Sequence, residues 1–168
     1  MDVDDLRLRM EASRTRLLAA IIGLTEEQAR ARPAEGGRCV NEILAHLMMS
    51  EGALSGAARE ALGGTVAASP APAPEPPGRS TPLPQLVHGL LAARRKTLRL
   101  LEALDPAHLS RPCVASGLGR VTVRRLFEHV AAHEEEHAAE IEARRSTVIM
   151  KAASEGSTVI LRPAGRSE

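Results

Sequence analysis

The sequence predicts an all-α protein, a four-helix bundle, from three observations. Four long stretches carry apolar residues at helical spacing, and one proline-rich segment divides them two and two. The chain also holds one Phe and no Tyr or Trp, so its core must be packed from Leu, Ile, Val, Met and Ala. Apart from the β-branched pair, these residues fill helices well. At 168 residues the chain suits a single domain with a core of its own.

The first helix is expected over about Val3 to Ile22, where Leu6, Met10, Leu17, Leu18, Ile21 and Ile22 recur near helical spacing before Gly23. Thr25 through Gln28 reads as a capping box that opens a short helix, with Pro33 beyond it. The second long helix, about Val40 to Leu62, carries Val40, Ile43, Leu44, Leu47 and Leu54 on one side and stops at Gly63-Gly64. From Ser69 to Pro84 the run SPAPAPEPPGRSTPLP cannot sustain a helix or a sheet interior, and it reads as a crossover linker. Its alternating Ala-Pro suits a spacer better than a ligand for a partner domain.

The third helix, about Leu83 to Leu104, turns Leu86, Leu90, Leu91, Leu98 and Leu101 inward and ends before Asp105-Pro106. The fourth starts at Thr122 as N-cap and runs to about Arg145. Residues 1–145 are thus expected to form the bundle, with the linker 69–84 inside it. In 146–168, Ser146-Thr147-Val148-Ile149-Met150-Lys151 is nearly repeated by Ser157-Thr158-Val159-Ile160-Leu161-Arg162 across Gly156. Two readings stay open there: a β-hairpin contributing to a homodimer, or an extension of the fourth helix followed by a tail.

A net charge of +1 gives no footprint for nucleic acid, and neither a signal peptide nor an apolar run of membrane length is seen. A cytoplasmic protein with no membrane partner is expected. Cys39 and Cys113 lack the spacing of a zinc or redox pair and read as small apolar residues.

The fourth helix carries the chemistry. At about 100° per residue, Val123, Leu126, Phe127, Val130 and Ile141 fall within an arc of roughly 120°, and His133 and His137 lie in the same arc. Four residues apart, the two imidazoles can share one metal ion. A third ligand must come from another helix, and His46, between Ile43 and Leu47, borders the apolar stripe of the second. Three neutral imidazoles suit Zn²⁺, Ni²⁺ or Fe²⁺ and leave coordination positions open. His129 sits at the margin of the face, and His88 and His108 have no partner at ligand spacing. Glu134, directed near the core beside His133, is expected to orient a ligand histidine or accept a proton; Glu42 and Glu51 are weaker candidates.

The segments GRCVNEILAHLMMSEGAL and GRVTVRRLFEHVAAHEEEH, with the connector GLTEEQARARP, resemble the DinB superfamily over about Leu17 to Arg145. The resemblance implies a four-helix bundle whose metal ligands, carried over by position, are His46, His133 and His137. It also implies thiol-dependent transfer or isomerisation, similar to mycothiol-dependent maleylpyruvate isomerase and the bacillithiol transferases. There a metal activates a low-molecular-weight thiol toward an electrophile, so a small-molecule thiol and an electrophile are the expected partners. The tryptophan that such proteins often place before the second helix is absent, and Gly37-Arg38-Cys39-Val40 stands there.

Two other classes compete. His133-Glu134-Glu135-Glu136-His137 formally matches HExxH, the zinc peptidase pattern with the first Glu as base, although Glu140 is too close in sequence for the usual third ligand. A bundle that binds metal or merely packs, without turnover, is the other.

Overall fold

The computed structural model describes residues 2–34, 36–63 and 78–154. Each long helix starts where a side chain or a proline can satisfy its first turn. In α1 (Val3–Ile21) the Asp2 carboxylate accepts the Asp5 N–H at 2.9 Å, and Asp5 returns the contact to the Asp2 N–H at 3.1 Å. The expected box at Thr25 and Gln28 opens α2 (Glu26–Arg30). In α3 (Val40–Ala61) the Glu42 carboxylate accepts the Cys39 N–H at 2.8 Å. Pro84 occupies the first turn of α4 (Leu83–Glu102), and Glu26 reaches over from α2 to accept the Leu83 N–H at 3.0 Å. The Leu83 N–H, helped by the Asn41 side chain and Arg30, holds the Glu26 carboxyl below its ordinary range.

Of the linker, residues 69–77 lie outside the described part, while Gly78 packs directly on the start of α3. A Cβ there would stand 2.9 Å from the Glu42 Cα and from the Ala45 Cβ, so only glycine fits this return of the chain.

After α4 comes a 3₁₀ turn, Pro106–Ser110, and then a small antiparallel hairpin that the helical pattern does not anticipate. Its strands β1 (Pro112–Ala115) and β2 (Gly119–Thr122) pair from Pro112↔Thr122 to Ala115↔Gly119. Gly117 and Gly119 take positive φ to close it, at 80° and 69°. Thr122 then accepts the Arg125 N–H at 3.3 Å as α5 (Val123–Ser154) begins.

That last helix separates the two readings left open for the C-terminal segment. Residues 146–151 continue α5, which runs as far as Ser154, as an extension of the fourth helix and not as a strand of a hairpin. A helix already nucleated adds one hydrogen bond per residue fixed, which outweighs the weak strand preference of Thr147-Val148-Ile149. The second segment, 157–162, lies outside the described residues, and the hairpin offered as a dimer contact loses its first strand.

In the bundle α5 packs on α1 and α3, α3 packs also on α4, and α1 meets α4 along a slighter seam. The apolar core is in two parts. One gathers Leu6, Met10, Leu54, Leu101, Leu126 and Phe127 near the β-hairpin; the other gathers Leu17, Ile43, Leu44, Leu86, Leu90 and Ile141 near the linker. Between them lies a layer of buried charge, one residue from each long helix: Arg14, Glu51, Arg94 and Glu134.

These four close into a ring. Arg14 meets Glu51 at 2.8 Å and Glu134 at 2.6 Å, while Arg94 meets both carboxylates at 2.8 Å. Ser13 donates to Glu134 at 2.7 Å, and Arg94 also donates to the Met10 carbonyl. Two cations and two anions cancel, and because every pair spans two helices the ring fixes their relative height. Among the described residues no helix is long and apolar enough to cross a membrane.

Candidate metal centre

The second polar feature of the bundle lies beside that ring. His46 projects from α3 one residue before Leu47, and His133 and His137 project from successive turns of α5. The structure brings the three together: their ligand nitrogens all lie within 4.8 Å of one another. His46 Nε2 is 3.3 Å from His133 Nε2. Two nitrogens about 2.0–2.1 Å from one tetrahedral ion stand about 3.3 Å apart, so the His46–His133 pair already has the spacing of a shared cation, and His137 would draw in to complete the set. The rings are half-buried, at the edge of the core rather than in it.

Protonation favours the same role. Burial, followed by the neighbouring imidazoles of His137, His46 and His129 and the charge of Arg38, pushes the His133 pKa down to about 4. The ring is therefore neutral near pH 7 and keeps a lone pair to offer. On His137 the tautomer follows from its partner. Glu140 Oε2 lies 2.7 Å from Nδ1, and since an ionised carboxylate only accepts, Nδ1 carries the proton and Nε2 is left as a free donor atom. Ser50 Oγ stands 3.5 Å from His133 Nδ1, a longer contact. His129 stacks on His133 with ring centres 5.5 Å apart, outside the triad as its marginal position in the sequence implies.

The other sequence candidates fall elsewhere. Glu134 does lie beside His133, but its oxygens are engaged by Arg14, Arg94 and Ser13. Glu51 belongs to the same ring, and Glu42 caps α3 and pairs with Arg32 at 2.5 Å. Cys39 and Cys113 are free and buried, and burial raises both thiol pKa values. His88 is exposed, and His108 Nδ1 accepts the Asp105 N–H at 3.1 Å at a helix end. The residues that sequence reasoning missed are Ser50 and Glu140. For Glu140 the signal is present, since a residue three after His137 shares its face.

The DinB superfamily matches residues 9–141, most of the chain and all three histidines. The chain belongs to the DinB superfamily. Solved structures agree on the fold. The DinB chain here is similar to a protein described as the sibling lethal factor precursor DfsB, with a TM-score of 0.69 at 18% identity over 88% of this chain and 97% of that one. It is similar also to a Streptococcus pneumoniae protein, with a TM-score of 0.67 at 14% identity over 87% of this chain and 91% of that one. No curated protein sequence matches. In this DinB protein the three histidines lie one on α3 and two, as an H-x-x-x-H pair, on α5.

Proposed function

We propose that this DinB protein binds a divalent metal ion through His46, His133 and His137 and uses it for transfer or isomerisation with a low-molecular-weight thiol. The observation that carries the reading is the convergence of three imidazole donors from two helices, two of them 3.3 Å apart. When bound, the ion lowers the pKa of a coordinated thiol and so supplies a thiolate at neutral pH. Zn²⁺, Ni²⁺ and Fe²⁺ all accept such a ligand set.

The chain's own residues hold and surround the site. Leu47, Leu54 and Val130 line a cleft beside His133 together with Ser50 and with Glu51, Arg94 and Glu134 of the charged ring. Both cysteines are buried outside the triad, so the nucleophile of this reading comes from a small molecule, as in the mycothiol- and bacillithiol-dependent enzymes that the sequence resembles. Glu134, held by two guanidinium groups, serves by fixing α5 against its neighbours rather than by taking a proton. The same pairing weighs against the HExxH peptidase reading, whose base must be free to act.

One observation favours a bundle that holds its ion without turnover. The cleft beside His133 measures about 10 Å³ among the described residues, room for about one water and far below the ~300–1,000 Å³ of ordinary small-molecule pockets. The two readings separate in one experiment. Metal-loaded protein is screened with mycothiol, bacillithiol and glutathione against small electrophiles by mass spectrometry. Acceleration over free metal with one thiol is expected, and none with any of them contradicts the transferase reading.

A further inference from the structure

Glu140 and Arg144 follow His137 on α5 at three and seven residues, so all three occupy one face. Glu140 divides its carboxylate between them: Oε2 accepts from His137 Nδ1 at 2.7 Å, and Oε1 pairs with Arg144 Nη2. The other arm of that guanidinium, Nη1, donates to the backbone carbonyl of Arg38, just before α3. The chain reaches this point through Gly36 and Gly37, both left-handed, with φ of 89° and 102°. A Cβ on Gly37 would stand 3.7 Å from Arg144 Nη2, so the loop lies against the guanidinium. Four groups in series thus join the segment leading into the helix of His46 to the ring of His137.

We propose that Glu140 is a positioning residue for the metal ligand His137, and that Arg144, anchored on the Arg38 carbonyl, holds Glu140 in place. The inference rests on the metal reading given above and adds residues to it. A ligating imidazole needs its second nitrogen occupied by an acceptor, which fixes both tautomer and ring orientation and makes the first a better donor. Glu140 does this for His137. An ordinary Glu-Arg pair four residues apart would stabilise the helix surface and leave the imidazole alone. Here the carboxylate is engaged on both oxygens, and the guanidinium is tied to a different segment of the chain.

The test uses the whole protein and two readouts. In metal-free protein, ¹⁵N NMR of the histidine rings should show His137 as the Nδ1–H tautomer; Glu140→Ala should return it to a mixture, and Glu140→Gln, whose side-chain oxygen still accepts, should restore it. Co²⁺ serves as the metal probe. Its affinity should fall about 10–100-fold in Glu140→Ala, as outer partners of metal ligands ordinarily cost when removed, with a smaller loss in Arg144→Ala and recovery in Glu140→Gln. A Glu140→Ala protein that keeps the Nδ1–H tautomer, or that binds Co²⁺ as the parent does, overturns the proposal while leaving the triad standing. Failure of the parent itself to bind Co²⁺ overturns the metal reading and this one with it.

Discussion

The bundle contains two polar features side by side, and they are built on opposite principles. In the ring of Arg14, Glu51, Arg94 and Glu134 each charge meets two of opposite sign at 2.6–2.8 Å, all four residues are buried, and the charges cancel. In the triad three imidazoles converge from two helices, half-buried, with their donor nitrogens within 4.8 Å. The ring balances its own charge, with Arg14 Nη1 left buried and without a hydrogen-bond partner among the described residues, and its output is the register of four helices. The triad gathers lone pairs that a cation satisfies far better than imidazoles satisfy one another. Glu134 and His133 are adjacent in sequence yet belong to different devices, because a step of one residue turns a side chain by about 100° around the helix.

The largest effect should come from opening the ring. Glu134→Ala leaves two buried guanidinium groups short of a partner and should destabilise the fold by about 3–5 kcal/mol in urea denaturation. Replacing all four members with apolar residues of similar volume (Arg14→Met, Glu51→Leu, Arg94→Met, Glu134→Leu) should cost far less, since it removes the desolvated charges together. Equal losses in the two proteins would show that the ring does more than balance its own charges.

The triad should respond in the reverse sense. His46→Ala, His133→Ala and His137→Ala should keep the far-UV helical signal and change the stability of metal-free protein by about 1 kcal/mol or less, because no charge is stranded and the rings are only half-buried. A cooperative loss of fold in any of them would place the triad with the ring as a structural element.

A further effect of the triad is a pH dependence. Below about pH 6.5 the unfolded chain takes up a proton on His133, whereas the folded chain resists it down to about pH 4. The unfolded state therefore binds more protons in this window, and the stability of metal-free protein should fall as pH drops from about 6.5 to about 4. In His133→Ala the slope over that window should be shallower, which thermal melts at several pH values would show.

How much of this was legible in the sequence depended on whether the signal was local. The long helices are bounded by residues that act within one turn: Gly23 and Gly63 at C-termini, Thr25 with Gln28, Pro84, and Thr122 as N-cap. The two histidines of α5 follow from face arithmetic on a single helix. The hairpin at Pro112–Thr122 escaped because strands of four residues are too short to show a period, and Ser116-Gly117-Leu118 is its main trace. The ring escaped for a different reason. Glu51 read only as a weak candidate beside the histidines and Arg14 and Arg94 drew no reading, because only the relative height of four helices, a tertiary property, turns them inward to one another. Glu134 shows the limit of single-helix reasoning: its inward direction was readable, but what it meets there was not.

The central claim is that His46, His133 and His137 form one metal site, and elemental analysis with titration tests it most directly. Protein prepared without added metal and without a histidine tag, then reconstituted, should hold one first-row divalent ion per chain. Each single histidine-to-alanine variant should lose about 100-fold or more of the affinity while staying helical, a larger loss than removing an outer partner. No ion bound after reconstitution, or full affinity retained in the single variants, would contradict the claim and leave the bundle and its ring as the whole of the account.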